Sequence, residues 1–472
     1  MLNRSGWLWM TGLMFFFLTG GCTVNQAREV QIYRDVLDGG KSGGDVAFHP
    51  DDPLTLERAM KLANAHNEGL AVAGEDYLQA LIAKDRAFAA FLPKISLAPE
   101  FMHQAKTTLG ADNPLIAEFV PEKATDVPVE GDMDWHLFRD IPAFRAAGSS
   151  VRMQKAMLLD RQAILLLDVA ETYFQVMHSE EQVKVLQHAI NVNEQRLSDV
   201  RVKEKVGVAR PMDVSLAGAQ LAATRNRMIQ AQDDVKNGRA MLAFLIGAPA
   251  VNGPLLNGLE VPDAAWNMAS LRERADSHRQ DLIAAHERVH VAAVALEAAW
   301  GEYFPSVSLN LTSYLSRESF PSDVDWTSMI KVNIPIFSAG LIHADVRTAY
   351  SRLRQARLAE MYIERQVSKD LQVALENLQG DEQQIDQLGI QVQAAQDGLK
   401  QADAAFNTGL GTNLERLMAQ DGLLSAELAL STATYNRSVD YLRLLRVTGA
   451  LNPDLSPVLT PETNNIQPMK DE

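Results

Sequence analysis

The segment HERVH at residues 286–290 is the stretch of this sequence whose residue types and spacing most resemble a catalytic site. Two histidines one helical turn apart can bind zinc, and the glutamate between them can activate a water molecule. A third ligand is not evident, because Glu297 and Glu302 follow on the same predicted helix and are carried away along its axis. A zinc metallopeptidase is therefore a remote alternative, and solvated histidines are the preferred interpretation.

The rest of the sequence offers no enzyme chemistry. It contains no Gly-rich phosphate loop, no G-x-S-x-G elbow and no cysteine placed as a nucleophile. A formal charge of -16 and an aromatic content of 7% argue against nucleic acid as a partner, because phosphate binding needs clustered Lys and Arg. We therefore expect a protein that is not an enzyme and that needs no cofactor.

Cys22, the only cysteine, ends an N-terminal export pattern. Arg4 precedes the apolar run WLWMTGLMFFFL, which is too short for a membrane span and leads into TGGC. The junction resembles a bacterial lipobox, although Thr19 stands where Leu is usual. We expect a lipoprotein signal peptide at 1–21, diacylglycerol and palmitate on Cys22, and a linker at 22–53. An ordinary cleaved signal or an uncleaved anchor is the alternative.

Four sequence landmarks recur in the same order in the two halves of the chain. They are AHNEGL at 65–70 and SHRQDL at 277–282, FLPKISL at 91–97 and YFPSVSL at 303–309, IPAF at 141–144 and IPIF at 334–337, and Gly207 and Gly247 with Gly409 and Gly449. Such order indicates an internal duplication. We predict two copies of a helix-strand-strand-helix-helix unit, at 54–250 and 268–452, with a linker at 251–267 and a disordered tail at 453–472.

Each copy is predicted to contain two strands with alternating apolar and polar residues. These strands lie at about 94–104 and 132–142, and at about 306–316 and 326–336. Together with an export signal, such strands favour an outer-membrane β-barrel over a small soluble sheet. Four strands cannot close a barrel, and an open edge in lipid leaves backbone groups unpaired. The chain is therefore expected to oligomerise.

The helices are predicted to be long, and the fold mainly α with a small β part. No proline or glycine occurs from Ser149 to Val206, which could form one helix of about 87 Å at ~1.5 Å per residue. Its apolar residues are spaced as in a coiled-coil seam. The seam comprises Leu166, Val169, Tyr173, Val176, Val183, Ile190 and Leu197, and Glu180, Gln187 and Glu194 interrupt it.

Several segments together resemble the TolC-like outer membrane efflux protein family from about Leu54 to Asn452. They are LTLERAMKLANAHN at 54–67, FLPKISL, DVAETYFQVM at 168–177, the glycine turns, AFLIGAP at 243–249 and IPIFSAG at 334–340. The resemblance implies a homotrimer with four strands per chain in an outer-membrane β-barrel, continued by a coiled-coil helical barrel in the periplasm. It also implies an exit duct for efflux or type I secretion, working with a periplasmic adaptor and an inner-membrane transporter. The resemblance does not identify the transported substrate. A periplasmic helical-hairpin adaptor or structural lipoprotein is the alternative.

The two predicted periplasmic turns, GVARPMD at 207–213 and GLGTNLE at 409–415, contain the candidate site residues. Thr412 and Glu415 have the spacing of a capping box, and Asp213 stands where Glu415 does. The resemblance implies that Asp213 and Glu415 line a periplasmic aperture as a cation-sensitive gate, and helix capping is the alternative. It also implies that the turn residues contact the adaptor, namely Gly207, Val208, Ala209, Gly409, Leu410, Gly411 and Thr412.

Overall fold

A computed structural model describes residues 24–39, 48–105, 123–262 and 266–454. Within these ranges the helices are α1 (Gln26–Leu37), α2 (Leu56–His66), α3 (Glu68–Ala89), α4 (Leu137–Lys205), α5 (Pro211–Leu245), α6 (Met268–His278), α7 (Gln280–Gly301), α8 (Leu341–Asn407) and α9 (Asn413–Val447). The strands are β1 (Leu54–Thr55), β2 (Lys94–Leu97), β3 (Glu100–His103), β4 (Lys123–Trp135), β5 (Leu255–Leu256), β6 (Ser306–Ser316) and β7 (Trp326–Asn333). The signal peptide, Cys22 and nearly all of the C-terminal tail lie outside the described residues.

The four longest helices form two hairpins. Helix α4 spans 69 residues and α8 spans 67, and each returns through a short turn into a helix of 35 residues, α5 or α9. Helix α9 also packs against α4, so the hairpins of the two repeats lie side by side. Among the described residues, none of the helices is both long and apolar enough to cross a membrane.

The predicted coiled-coil seam is the buried face of α4. Near the middle of the molecule Leu166, Tyr173 and Val176 belong to the main apolar core, which also includes residues of α2, α8 and α9. Nearer the turn, Ile190 and Leu197 pack against α5 in a second cluster. The burial of large apolar side chains along this seam is the main source of stability for helices of such length.

In each repeat, the break between the two short helices packs against the glycine that follows the returning helix of the same repeat. Gly247, with φ +67°, lies so close to His66 that a Cβ atom would be 2.8 Å from the His66 Cβ. Gly449, with φ +69°, would meet the backbone of His278 at 2.6 Å. The same contact is therefore made once in each repeat. It explains why AHNEGL recurs as SHRQDL and why the two glycines recur.

The predicted strand at 132–142 is wrong at both ends. Strand β4 begins at Lys123 and stops at Trp135, and IPAF lies inside helix α4. The helix starts early because the Asp140 carboxylate accepts the His136 N–H at 2.9 Å. Pro142 cannot donate to the Phe138 carbonyl, and Gly301 lies against that carbonyl, where any Cβ would come within 2.1 Å. Glycine at 301 thus allows the proline inside the helix.

The other predicted strands need smaller corrections. The strand at 94–104 is interrupted at Ala98 and Pro99, which separate β2 from β3. The strand at 326–336 ends at Asn333, and IPIF lies between β7 and α8. The two IPxF segments are thus similar in sequence but different in structure. Strand β6 has the predicted bounds, Ser306–Ser316.

The predicted linkers also contain ordered structure. Residues 26–37 of the N-terminal linker form α1, whose Tyr33 ring covers Gly74 so closely that a Cβ there would lie 2.4 Å from it. In the inter-repeat linker, β5 pairs in parallel with β1. The Tyr173 hydroxyl lies 2.7 Å from the Leu54 carbonyl and accepts the Leu256 N–H at 2.9 Å, which holds this pairing.

The larger sheet has five strands and is antiparallel. Strands β2 and β3 both pair with β4, β4 pairs with β6, and β6 pairs with β7. Its register places apolar residues opposite apolar residues, as in Met133 with Leu309 and Leu309 with Ile330. On the other face Asp132 lies opposite Asn310 and accepts a hydrogen bond from its side chain. One face is therefore apolar and the other polar, and every residue of β7 is exposed.

Candidate functional site

The first turn joins α4 to α5 at the end of the first hairpin. Gly207 has φ +76°, and the N–H groups of Val208 and Ala209 donate to the Lys203 carbonyl at 2.8 and 3.1 Å. This arrangement satisfies the carbonyl groups at the end of α4, and it needs glycine at the left-handed position. The Val208 side chain is 75% exposed and projects from the turn.

The second turn repeats this geometry between α8 and α9. Gly409 has φ +75°, and the N–H groups of Leu410 and Gly411 donate to the Ala405 carbonyl at 2.9 and 3.0 Å. A Cβ at Gly411 would lie 2.9 Å from the Ala405 Cβ, so the turn is closely packed. Leu410 is 88% exposed, at the position of Val208 in the first turn.

The two predicted aperture carboxylates both cap helices. The predicted capping box of α9 is present, because Glu415 accepts the Thr412 N–H at 2.8 Å and Thr412 Oγ1 accepts the Glu415 N–H at 3.2 Å. In the first turn, Asp213 accepts the Arg210 N–H at 3.1 Å and pairs with its guanidinium at 3.2 Å. These bonds lower the pKa of both carboxyls, through the Arg210 side chain for Asp213 and through the Thr412 N–H for Glu415.

The two carboxylates differ in exposure. Asp213 is buried, and the Asn413 amide donates to its backbone carbonyl at 3.4 Å, which links the starts of α5 and α9. Glu415 lies in solvent within the single chain. Both are ionised at neutral pH, but only Glu415 presents a negative charge that is not paired with a cation in the described contacts.

A buried polar network behind the turns was missed by the sequence reasoning. Arg196 on α4 donates to Gln420 on α9 and, through Nη2, to both Asp403 oxygens at 3.2 and 3.1 Å. Gln420 in turn donates to Asn193 at 2.8 Å, and Asn193 donates to Thr224 on α5 at 3.1 Å. Four helices are thereby joined through one set of polar groups. The signal in the sequence that could have indicated this network is the presence of polar residues directly beside the apolar seam positions of α4.

Closer to the turns, the Phe406 ring has two cationic neighbours. Lys203 Nζ lies 4.1 Å from the ring centroid, and the Arg416 guanidinium carbon lies 4.2 Å from it. Arg416 is buried and also donates to Asn413 at 3.1 Å. Cation–π contacts of this kind tie the end of α4 to α8 and α9.

HERVH does not form a metal site. His286 and His290 lie on α7, but His286 Nδ1 is 3.0 Å from Glu360, and Glu287 pairs with Arg152 at 2.7 Å. In the part of the chain that the structure describes, no group of three His, Cys, Asp or Glu residues could hold a metal ion. The described residues therefore bring no third ligand to the two histidines of HERVH.

Comparison with known proteins gives a consistent result. The family model for "Outer membrane efflux protein" matches residues 78–248 and 271–450. Its two segments fall in the two predicted repeats. The probable efflux pump outer membrane protein TtgC of Pseudomonas putida is 27% identical over 279 residues, covering 57% of this chain and 57% of its own length. The chain thus spans somewhat more than half the length of the first curated relatives that it matches.

A lipoprotein and a solved structure extend the comparison. The probable outer membrane lipoprotein SilC of Salmonella typhimurium is 24% identical over 297 residues, covering 61% of this chain and 63% of SilC. The crystal structure of the outer membrane protein VceC from Vibrio cholerae superposes with a TM-score of 0.74 at 18% identity, covering 84% of this chain and 96% of VceC. The predicted fold class is confirmed by this likeness.

Proposed function

Because the chain belongs to the outer membrane efflux protein family, we propose that it forms the outer-membrane exit duct of a tripartite efflux or type I secretion system. Members of this family are channels and not enzymes. In this proposal, substrates pass from an inner-membrane transporter and a periplasmic adaptor, through the duct, to the cell exterior. Because the chain belongs to this family, we set aside the alternative that it is a periplasmic adaptor.

The two-faced, open-edged sheet is the observation that carries this proposal. Among the described residues, β7 pairs with β6 on one side, and β2 pairs with β4 on one side, so the outer edges of β7 and β2 meet no further described strand. The apolar face includes exposed residues such as Ile95, Ile330 and Val332. A sheet with such an edge and such a face is unstable in water as a monomer, and lipid on one face with strand pairing at both edges stabilises it.

We infer that the partners at these edges are two further copies of the chain. In a homotrimer, β7 of one copy pairs with β2 and β3 of the next, and the barrel closes around the polar face. The Asp132 and Glu130 side chains then face the lumen, and their charge disfavours anions. The two helical hairpins of each copy continue the duct below the barrel.

The two turns are the proposed contact with the adaptor. Val208 and Leu410 are large apolar side chains held in solvent at equivalent positions of two rigid, hydrogen-bonded turns, so a partner can bury both of them. Gly207, Ala209, Gly409, Gly411 and Thr412 shape the surface around them. Both turns share one geometry, so an adaptor can bind each in the same way.

The proposed aperture is formed by Glu415 and Asp213 of the three copies. Glu415 is the stronger candidate for contact with cations, because it is exposed and ionised, whereas Arg210 already compensates Asp213. Each carboxylate keeps its capping role at the same time. We also propose that Cys22 carries the lipid anchor, as its sequence context indicates.

The proposal is tested with the purified full-length chain in planar lipid bilayers and by membrane fractionation of cells. We expect discrete single-channel conductance, chemical cross-linking to a trimer, and retention in the outer membrane after washing with sodium carbonate. Extraction by carbonate as a monomer without conductance would overturn the channel assignment. Cys22→Ser in the same fractionation tests the anchor separately from the channel.

A further inference from the structure

Asp381 and Asp440 form a buried carboxyl pair between α8 and α9. The two side chains are within hydrogen-bonding reach of one another, and the residues are only 7% and 6% exposed. Asp381 Oδ2 is buried and meets no hydrogen-bond donor in the described part of the chain. Two carboxylates cannot both ionise at such a distance without a large repulsive cost.

The charged groups around the pair leave two negative charges in excess. Arg443 is the cation that faces it, and this side chain is shared between Asp440 at 2.8 Å and Glu171 of α4 at 2.7 Å. Glu382, the residue after Asp381, pairs with Arg437 of α9 at 3.5 Å. Three carboxylates therefore surround one guanidinium. A single proton on Asp381 halves this excess and supplies the missing donor to Asp440.

The pair lies at a particular place along α8. Asp381 is the last buried residue of this helix, and none of the described residues from 382 to 407 on α8 is buried. The next polar anchor is Asp403, which pairs with Arg196. The stretch from 382 to 402 thus lies along α9 with little buried contact, between a protonatable anchor and an ionic one.

We propose that the Asp381–Asp440 pair is a proton-dependent latch that fastens the 382–402 segment of α8 to α9. With one proton the carboxyls share a hydrogen bond and the segment stays packed. When the proton leaves, the two charges repel and the segment separates from α9. In a channel this segment belongs to the hairpin that leads to the periplasmic aperture, so its role in gating rests on the proposed function, but the latch itself does not.

Linkage sets the direction of the effect. Burial, followed by the charge of Asp440, raises the pKa of Asp381 to about 7. In the separated state the carboxyl is solvated and ionises near its ordinary value of about 3.9. The stabilisation of the packed state is therefore complete below about pH 3.9. It is lost progressively as the pH rises to and through the packed-state pKa of about 7.

Amide hydrogen exchange of the full-length protein, corrected for the intrinsic pH dependence of exchange, tests the latch. We expect protection in 382–402 to fall about tenfold between about pH 6 and pH 8 in the wild type. Asp381→Asn, whose amide replaces the shared proton, should keep its protection over this range. Asp386→Asn, which makes the same change at an exposed carboxylate of the same segment, is the matched control and should behave as the wild type.

Flat protection in the wild type, or an equal fall in Asp381→Asn, would overturn the latch. Asp440→Asn provides a second variant with the same expected result, should Asp381→Asn fold poorly. Conductance measured on the same samples separates the two proposals. A pH-dependent exchange without conductance refutes the channel and supports the latch, and conductance with flat exchange does the reverse.

Discussion

Arg196 Nη2 lies 3.2 and 3.1 Å from the two carboxylate oxygens of Asp403, which joins α4 of the first repeat to α8 of the second. Burial lowers the pKa of Arg196, while the charge of Asp403 opposes that effect. The same guanidinium also donates to Gln420 on α9. One side chain therefore holds three helices together behind the two turns.

Arg196→Ala should loosen the distal ends of the hairpins. The change leaves the buried Gln420 and the half-buried Asp403 without their donor, and we expect a loss of about 2 kcal/mol in local stability. Limited proteolysis and hydrogen exchange near 403–420 measure it. Arg225→Ala is the control, because its pair with Glu194 is exposed and should contribute less than about 1 kcal/mol. Equal effects of the two variants would contradict the assignment.

Gly449→Ala should destabilise the protein strongly. The backbone at this position is left-handed with φ +69°, and a Cβ would lie 2.6 Å from the His278 backbone, so we expect a cost of about 2 kcal/mol or more. Gly398→Ala is the opposite case, because nothing lies within 4 Å of its Cβ position inside α8. There alanine should stabilise by about 0.5–1 kcal/mol. Thermal unfolding midpoints compare the two, and a tolerated Gly449→Ala would refute the close contact.

The sequence predicted those parts of the fold that depend on local pattern. The coiled-coil seam of α4, the Thr412–Glu415 capping box and the two-faced strands all follow from spacing within one element. The duplication predicted which glycine turns correspond, since Gly247 and Gly449 make the same contact.

The errors arose where a distant residue decided the local structure. The predicted strand at 132–142 includes Pro142, yet this proline lies inside α4, where Gly301 leaves space for the freed Phe138 carbonyl. The order in the N-terminal linker likewise depends on Tyr33 meeting Gly74 in α3. The buried Arg196 network joins residues more than 200 positions apart, and a single sequence gives no measure of such proximity.

Ile330→Arg should prevent stable insertion into the outer membrane. Ile330 is 71% exposed on the apolar face in the middle of β7, and a cation facing lipid there costs about 2–4 kcal/mol. Thr327→Arg places the same charge on the opposite, polar face of the strand and should be tolerated. Quantitative outer-membrane fractionation compares the variants. If both charges were accepted, the apolar face would not be facing lipid.

Leu410→Asp should abolish binding of the adaptor while leaving the fold intact. The Leu410 side chain is exposed at the tip of the second turn, so its replacement removes no core contact. The aspartate places a charge where an apolar contact with the adaptor is proposed. Val208→Asp tests the first turn in the same way. Co-purification of the cognate adaptor measures the effect, with circular dichroism as the control for folding. Retained binding in the double variant would exclude the tips as the contact.

Histidine 178 should cause part of the loss of stability on acidification. The residue is 8% exposed and lies between Gln182, at 2.8 Å, and the hydroxyl of Thr432, at 3.3 Å. Burial lowers its pKa, so the neutral imidazole is preferred in the fold. As the pH falls below about 6.5, His178 binds a proton in the unfolded chain but not in the folded chain, so the free energy of unfolding decreases.

His178→Gln removes this titration while keeping a side chain of similar size that can both donate and accept a hydrogen bond. The unfolding midpoint of the variant should therefore decrease less than that of the wild type between about pH 7 and pH 5. His188→Gln, at an exposed position on the same helix, should follow the wild type. Because Asp381 changes stability in the opposite direction over this range and is present in all three proteins, its effect cancels in the comparison. Parallel decreases in all three would show that His178 does not contribute.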